Sequence, residues 1–116
     1  MSERLTILLL DDIWEALEKV GRYTAGLSHD HFLHDEKTVD AVVRNLEIIG
    51  EASNRLPDEL KANHNDVEWH KIVGLRNRIV HRYFGLDLEI IWTILEKDLP
   101  AFRSAIDRIR AGRRGP

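Results

Sequence analysis

Apolar residues recur every three to four positions along almost the whole chain, and no stretch alternates with the period of two that marks a strand. Leu5, Leu9, Ile13, Ala16, Val20 and Tyr23 predict one face of a first helix that stops before Gly26. Residues 27–35 read as a polar connector with one helical turn. Val39, Val42, Val43, Leu46, Ile49, Ser53 and Leu56 predict a second long helix, ended by Pro57. Residues 57–65 form a loop with a helical turn over 58–61. A third helix is expected from residues 66–69 to residue 84, with Gly85 as its C-terminal cap. A fourth starts near Asp87 and carries Ile91, Leu95, Leu99, Phe102, Ile106 and Ile109, with Pro100 kinking or breaking it. The pattern predicts an all-α, up-and-down four-helix-bundle-like domain over residues 1–110 and a frayed, flexible tail over 111–116.

The length of 116 residues suits one domain with a real core. A net charge of −3 excludes a uniformly basic surface, so any nucleic-acid contact has to be a local patch. Without cysteine there are no disulfides, no thiolate chemistry and no zinc ribbon, which fits a reducing interior. The Ile7-Leu8-Leu9-Leu10 run is too short for a signal peptide and meets Asp11-Asp12 at once, and no stretch reads as membrane-spanning. The expectation is a soluble cytoplasmic protein with no membrane partner.

The chemistry concentrates in Arg76-Asn77-Arg78-Ile79-Val80-His81-Arg82-Tyr83. Arginine meets phosphate with a planar fork of donors, and histidine exchanges protons near neutral pH. Together they suffice for metal-free RNA cleavage, with no cofactor. On a continuous helix Arg76 falls at the centre of an apolar stripe made by Trp69, Ile72, Val73, Ile79, Val80 and Tyr83, where a charge should be rare unless something meets it. Arg76 and His81 are then about 140° apart, while Tyr83 lies about 20° from Arg76. One straight helix cannot aim both groups at one atom, so either the arginine reaches around or a two-fold axis brings a second copy, predicting a homodimer with a composite groove. Gly74, in mid-helix, hints at the close approach of another backbone or a ligand.

Blander readings use the same residues. Arg76 can pair with Glu47 or Glu51, His81 can be a hydrogen-bonded structural histidine, Tyr83 a core aromatic and Asn77 a local bridge. His29, Asp30, His31, His34 and Asp35 crowd five potential metal ligands into seven residues, a rival site within the connector. A structural dimerisation domain is a further alternative.

Arg76-Asn77-x-x-x-His81-x-Tyr83 resembles the Arg-x4-His-x-Tyr signature of the HEPN superfamily, and more narrowly that of the HepT toxins, small helical proteins encoded beside a minimal nucleotidyltransferase. The similarity extends to residues 38–52, 69–77 and 83–92, and so over nearly the whole chain. It implies a four-helix-bundle-like fold, a homodimer with the motif at its interface, and metal-independent endoribonuclease activity on an RNA substrate. It also implies control by a partner nucleotidyltransferase of the minimal, MntA-like kind, which transfers AMP to Tyr83. In that reading Arg76 and His81 are catalytic, while Asn77, Arg78 and Arg82 support them or bind RNA. The competing reading is a non-catalytic helical subunit that binds nucleotide or RNA for such a nucleotidyltransferase, with Arg76 on phosphate and Tyr83 stacked on a base.

Overall fold

The structure, a computed structural model, describes residues 1–81 and 85–114. Helix α1 (Glu3–Thr24) begins where the Ser2 hydroxyl accepts from the Leu5 N–H, and the chain turns away at Gly26, whose φ of +75° only glycine adopts easily. The connector holds one short helix, α2 (His29–Leu33), which drops Phe32 into the core. Helix α3 (Glu36–Arg55) starts at the Asp35 carboxylate, which accepts from the Thr38 N–H and hydroxyl. It ends just before Pro57, and α4 (Asp58–Asn63) follows. Every residue predicted for the inner face of α3, Ser53 included, is buried.

Helix α1 lies along α3, and the last helix, α8 (Leu99–Arg114), packs against α1. Arg110 bonds Asp11 at 3.0 and 3.2 Å and stacks on the Trp14 ring, Arg103 reaches Glu18, and Arg113 reaches Glu3. The residues expected to fray after Arg110 therefore continue as helix to Arg114. Ile13, Val42, Leu46, Ile49, Leu75, Ile79, Ile91, Ile94 and Ile106 are fully enclosed at the centre. The all-α expectation holds: among the described residues the extended structure is one antiparallel pair of two-residue strands. No described helix is long and apolar enough to cross a membrane.

The third and fourth predicted helices are each divided. The segment expected as one helix to residue 84 is α5 (Trp69–Val73) and α6 (Leu75–Ile79), hinged at Gly74, followed by β1 (Val80–His81). Strand β2 (Gly85–Leu86) pairs with it, Val80 opposite Leu86 and His81 opposite Gly85, and the Asp87 N–H donates to the Ile79 carbonyl at 2.8 Å. Helix α7 (Leu88–Thr93), capped by Asp87, then runs into a π-helical turn, Ile94–Asp98, before α8. Within that turn the Leu99 N–H donates to the Ile94 carbonyl, five residues back. Pro100 cannot supply an N–H to the preceding turn, and the wider register there accommodates the missing donor without a break.

The close backbone approach expected at Gly74 occurs instead at Gly50. A Cβ on Gly50 would lie 3.1 Å from the Ile72 carbonyl oxygen and 3.5 Å from that of Val73, so α3 passes directly against the carbonyl end of α5. At Gly74 the tight contact is with its own turn, 3.0 Å from the His70 carbonyl. This distinguishes two glycine-to-alanine changes. Gly50→Ala forces backbone apart and is expected to lower unfolding stability by about 1–3 kcal/mol. Gly112→Ala, with nothing within 4 Å and within α8, is expected to raise it by up to about 1 kcal/mol. Urea titration of the two variants beside the parent reads both signs.

Candidate functional site

Helix α6 is little more than one turn, and its two apolar residues settle its orientation. Leu75 and Ile79 are completely buried, so Arg76 and Asn77 face solvent and Arg78 is half-buried. Arg76 therefore does not occupy a buried stripe as the continuous-helix wheel predicted. Among the described residues it makes no ion pair, and neither Glu47 nor Glu51 meets it. The wheel failed because Leu75, which the stripe left out, is fully buried while Val80 is 43 % exposed in a strand, so the buried line is Ile72, Leu75 and Ile79 and Arg76 lies beside it.

The chain leaves the helix immediately after Ile79. The Val80 N–H donates to the Arg76 carbonyl, capping α6, and His81 is the next residue, its backbone paired with Gly85. Gly85 has a φ of +81°, which a side chain would strain. The angles of about 140° and 20° derived for a straight helix thus do not apply across this junction. Arg82 and Tyr83 lie outside the described residues, and His81 is described by its backbone alone. The described part of the motif is a solvent-facing guanidinium and carboxamide on a single helical turn, leading directly into the strand that holds His81.

Arg78 has a partner that sequence reasoning missed. Its Nη1 donates to Asp98 Oδ2 at 2.7 Å, with the two side chains 31 % and 21 % exposed. Asp98 closes the π-helical turn, twenty residues away in sequence. The available signal was Pro100, whose position required a local change of helical register.

Two of the three connector histidines, His29 and His34, make structural contacts. His29 Nε2 sits 2.9 Å from Glu89 Oε2, and its ring stacks on Trp92 at 5.3 Å. His34 Nδ1 bonds the Asp30 carbonyl, and Asp35 caps α3. Among the described residues no three His, Asp or Glu side chains gather closely enough to hold a metal ion, so the rival metal reading of the connector is not supported by its geometry. A groove of about 370 Å³ runs between α5, the π-helical turn and α8, lined by Val67, Lys71, Ile72, Asp98, Phe102 and Arg108. Its charges are largely spent on one another: Lys71 pairs with Glu68, Arg108 with Asp66, and Asp98 with Arg78.

Residues 13–109, from the middle of α1 to within the second half of α8, match the model of the HepT-like family, described as "Ribonuclease HepT-like". The chain belongs to the HepT-like family. It is 37 % identical over 101 residues to a "Probable ribonuclease HepT" of Thermococcus cleftensis, an alignment covering 87 % of this chain and 92 % of that one. A "Putative RNase" of Methanocaldococcus jannaschii is 35 % identical over 107 residues, covering 92 % and 98 % respectively. Another "Putative RNase", from Caldanaerobacter subterraneus, is 36 % identical over 100 residues, covering 86 % and 89 %. No solved structure gives a significant match. In this HepT-like chain the matched span includes the whole of α5, α6 and the strand pair, so the family likeness covers the motif and the core that carries it.

One carboxylate near this framework has a displaced pKa. The Thr38 hydroxyl and then the Thr38 N–H, bonding to Asp35, hold it below the ordinary carboxylate value. A lowered folded-state pKa means that the cap's charge-dependent contribution to stability is present above the unfolded value and is lost as acid protonates the folded carboxylate. Asp35→Asn, which keeps a capping oxygen without the charge, should therefore lie below the parent in urea midpoint near neutral pH. The two midpoints should converge as pH falls through the folded pKa.

Proposed function

We propose that this HepT-like protein is the toxin of a toxin–antitoxin pair: a metal-independent endoribonuclease silenced when a partner nucleotidyltransferase attaches AMP to Tyr83. The observation that carries this reading is the exposed Arg76 guanidinium, with no ion pair among the described residues, on a turn that leads straight to His81, in a chain matched to ribonuclease relatives over nearly its full length. An arginine already committed to a carboxylate has little to offer a phosphate. This one has its whole donor fork available.

In the proposed reaction the RNA brings its own nucleophile. The His81 imidazole takes the proton of the ribose 2′-hydroxyl, the 2′-oxygen attacks the adjacent phosphorus, and the bond to the 5′-oxygen breaks. The departing 5′-oxygen takes up a proton, leaving a 2′,3′-cyclic phosphate and a 5′-hydroxyl. Proton transfer of this kind contributes ~10²–10⁴-fold. Arg76 holds the non-bridging oxygens as charge gathers on the phosphorane, a preorganised contribution of about 3–4 kcal/mol by analogy with an oxyanion-hole donor. Asn77, exposed beside Arg76, orients the phosphate or the imidazole, and Arg78 and Arg82 add positive charge to the rim. A homodimer whose two-fold axis passes by α6 places two histidines in one groove, one as base and one as acid. The exposure of Val80 next to Arg76 suits such a contact.

Silencing follows from the same electrostatics. The Tyr83 phenolic oxygen attacks the α-phosphorus of ATP, pyrophosphate leaves, and the new AMP phosphodiester competes with RNA for Arg76.

The test is total RNA incubated with the parent protein, with His81→Ala and with Arg76→Ala, each with and without EDTA. The parent is expected to release 2′,3′-cyclic phosphate ends in both conditions. Each variant should lose cleavage by at least about a hundredfold with unchanged helical circular dichroism. Complete loss of the parent's activity on chelation would remove the metal-free mechanism, and binding without cutting would establish the non-catalytic subunit instead. A second measurement addresses control: intact mass after co-expression with a cognate nucleotidyltransferase should show added AMP on the parent protein and none on Tyr83→Phe.

A further inference from the structure

Helix α6 is too short to hold its own orientation. A single turn lacks the cooperative hydrogen bonding of a long helix, and this one is flanked by a hinge at Gly74 and a strand at Val80. Three anchors hold it: the apolar pair Leu75 and Ile79 beneath it, the bond from the Asp87 N–H to the Ile79 carbonyl at its end, and the Arg78–Asp98 ion pair at its side. The apolar pair holds the turn down. Its burial fixes which face of the turn points inward, but burial depends on area and so sets that angle less sharply than a directional bond does. The bond from Arg78 Nη1 to Asp98 Oδ2, at 2.7 Å and with both partners less than a third exposed, is directional and only partly screened by salt.

Asp98 itself is held unusually well for a surface carboxylate. It closes the π-helical turn at Ile94–Asp98, directly before the long α8 that packs on α1. Lys71 and Lys97 line the same groove, but Lys71 is paired with Glu68, and Lys97 makes no ion pair among the described residues. The carboxylate is thus directed to Arg78.

We infer that Asp98 is a positioning residue for the nuclease site: through Arg78 it sets the rotation of α6 and hence where the Arg76 guanidinium points. This inference rests on the proposed cleavage reaction. It assigns a role to the π-helical turn, which places the Asp98 carboxylate opposite Arg78.

Simple electrostatics and positioning predict opposite results for one substitution. Asp98→Asn removes a negative charge near an RNA-binding surface, so on charge alone it should tighten binding and leave cleavage intact or improved. If Asp98 positions α6, Asp98→Asn lowers kcat by roughly ten- to a hundredfold, the scale of loss for a misplaced reactive group, while KM for RNA stays the same or falls. Asp98→Glu, which retains the carboxylate, should recover most of the rate. Amide hydrogen exchange over residues 76–79 should quicken in Asp98→Asn and return toward the parent in Asp98→Glu, a readout that does not depend on cleavage. Wild-type kcat in Asp98→Asn, or a loss carried by KM with exchange in α6 unchanged, would overturn the inference. A parent protein that cuts no RNA would remove the nuclease reading instead, and the exchange experiment would still decide for or against the anchoring of α6 by Asp98.

Discussion

The close pass of α3 against the end of α5 governs the arrangement of this molecule's functional edge. Gly50 has no side chain, so the α3 backbone can lie against the carbonyls of Ile72 and Val73, where a methyl group would already crowd the oxygen at 3.1 Å. Beyond α5 the chain goes on to bury Leu75 and Ile79 in the same core. It bends at Gly74, and the next turn is laid down at a new angle. The consequence for chemistry is direct: the residues on the far side of that turn, Arg76 and Asn77, are put into water. An arginine in water costs nothing in desolvation and needs no structural counterion, which is why Arg76 can stand without an ion pair among the described residues.

A second constraint enters from the other side of the same turn. Pro100 deprives the helix after Leu88 of a donor, the register widens over Ile94–Asp98, and the carboxylate at the end of that widened turn meets Arg78. Two local departures from regular helix, one beside a glycine contact and one caused by a proline, thereby converge on a five-residue segment. Long regular helices supply the stable frame, as the α1, α3 and α8 packing shows, and the irregular segments carry the polar groups that the frame does not use.

The degree to which this was legible in the sequence varied with length. Helices α1 and α3 have enough turns for their apolar period to be unambiguous, and their caps, Ser2, Asp35 and Pro57, sit where capping chemistry requires. The stretch from residue 69 to 84 has an equally helical spacing, yet it is divided, because spacing reports which residues could share a face and not whether the helix is continuous. Ile72, Leu75 and Ile79 satisfy a helical period across a hinge. Leaving Leu75 out of the stripe, with Val80 counted in it, put its apparent centre on Arg76. The β-branched pair Ile79-Val80 ahead of a glycine at Gly85 was a strand-and-turn signal that the stripe obscured. For the Arg78–Asp98 pair, Pro100 signalled the change of register but not the partner, since the two residues are brought together by tertiary packing. The motif's residue types were legible from sequence. Their solvent exposure and their anchoring were not.

The distribution of charge completes the physical picture. The chain is acidic overall at −3, and many of its arginines are consumed internally: Arg103 on Glu18, Arg108 on Asp66, Arg110 on Asp11 and Arg113 on Glu3 tie the last helix to elements that precede it. Each of these four arginines is matched by a carboxylate. At physiological salt a charge is felt over about 8 Å, so the exposed guanidinium at Arg76 acts locally. For the proposed reaction this is an advantage in selectivity. A uniformly basic protein would hold any RNA anywhere along its surface, with an affinity dominated by counterion release. An acidic protein with its available arginine beside the strand that carries His81 can hold a phosphodiester with comparable strength only where the cleaving group also lies. Under that reading, binding and chemistry are confined to the same few ångströms, and a modification adding one phosphate there is sufficient to stop both.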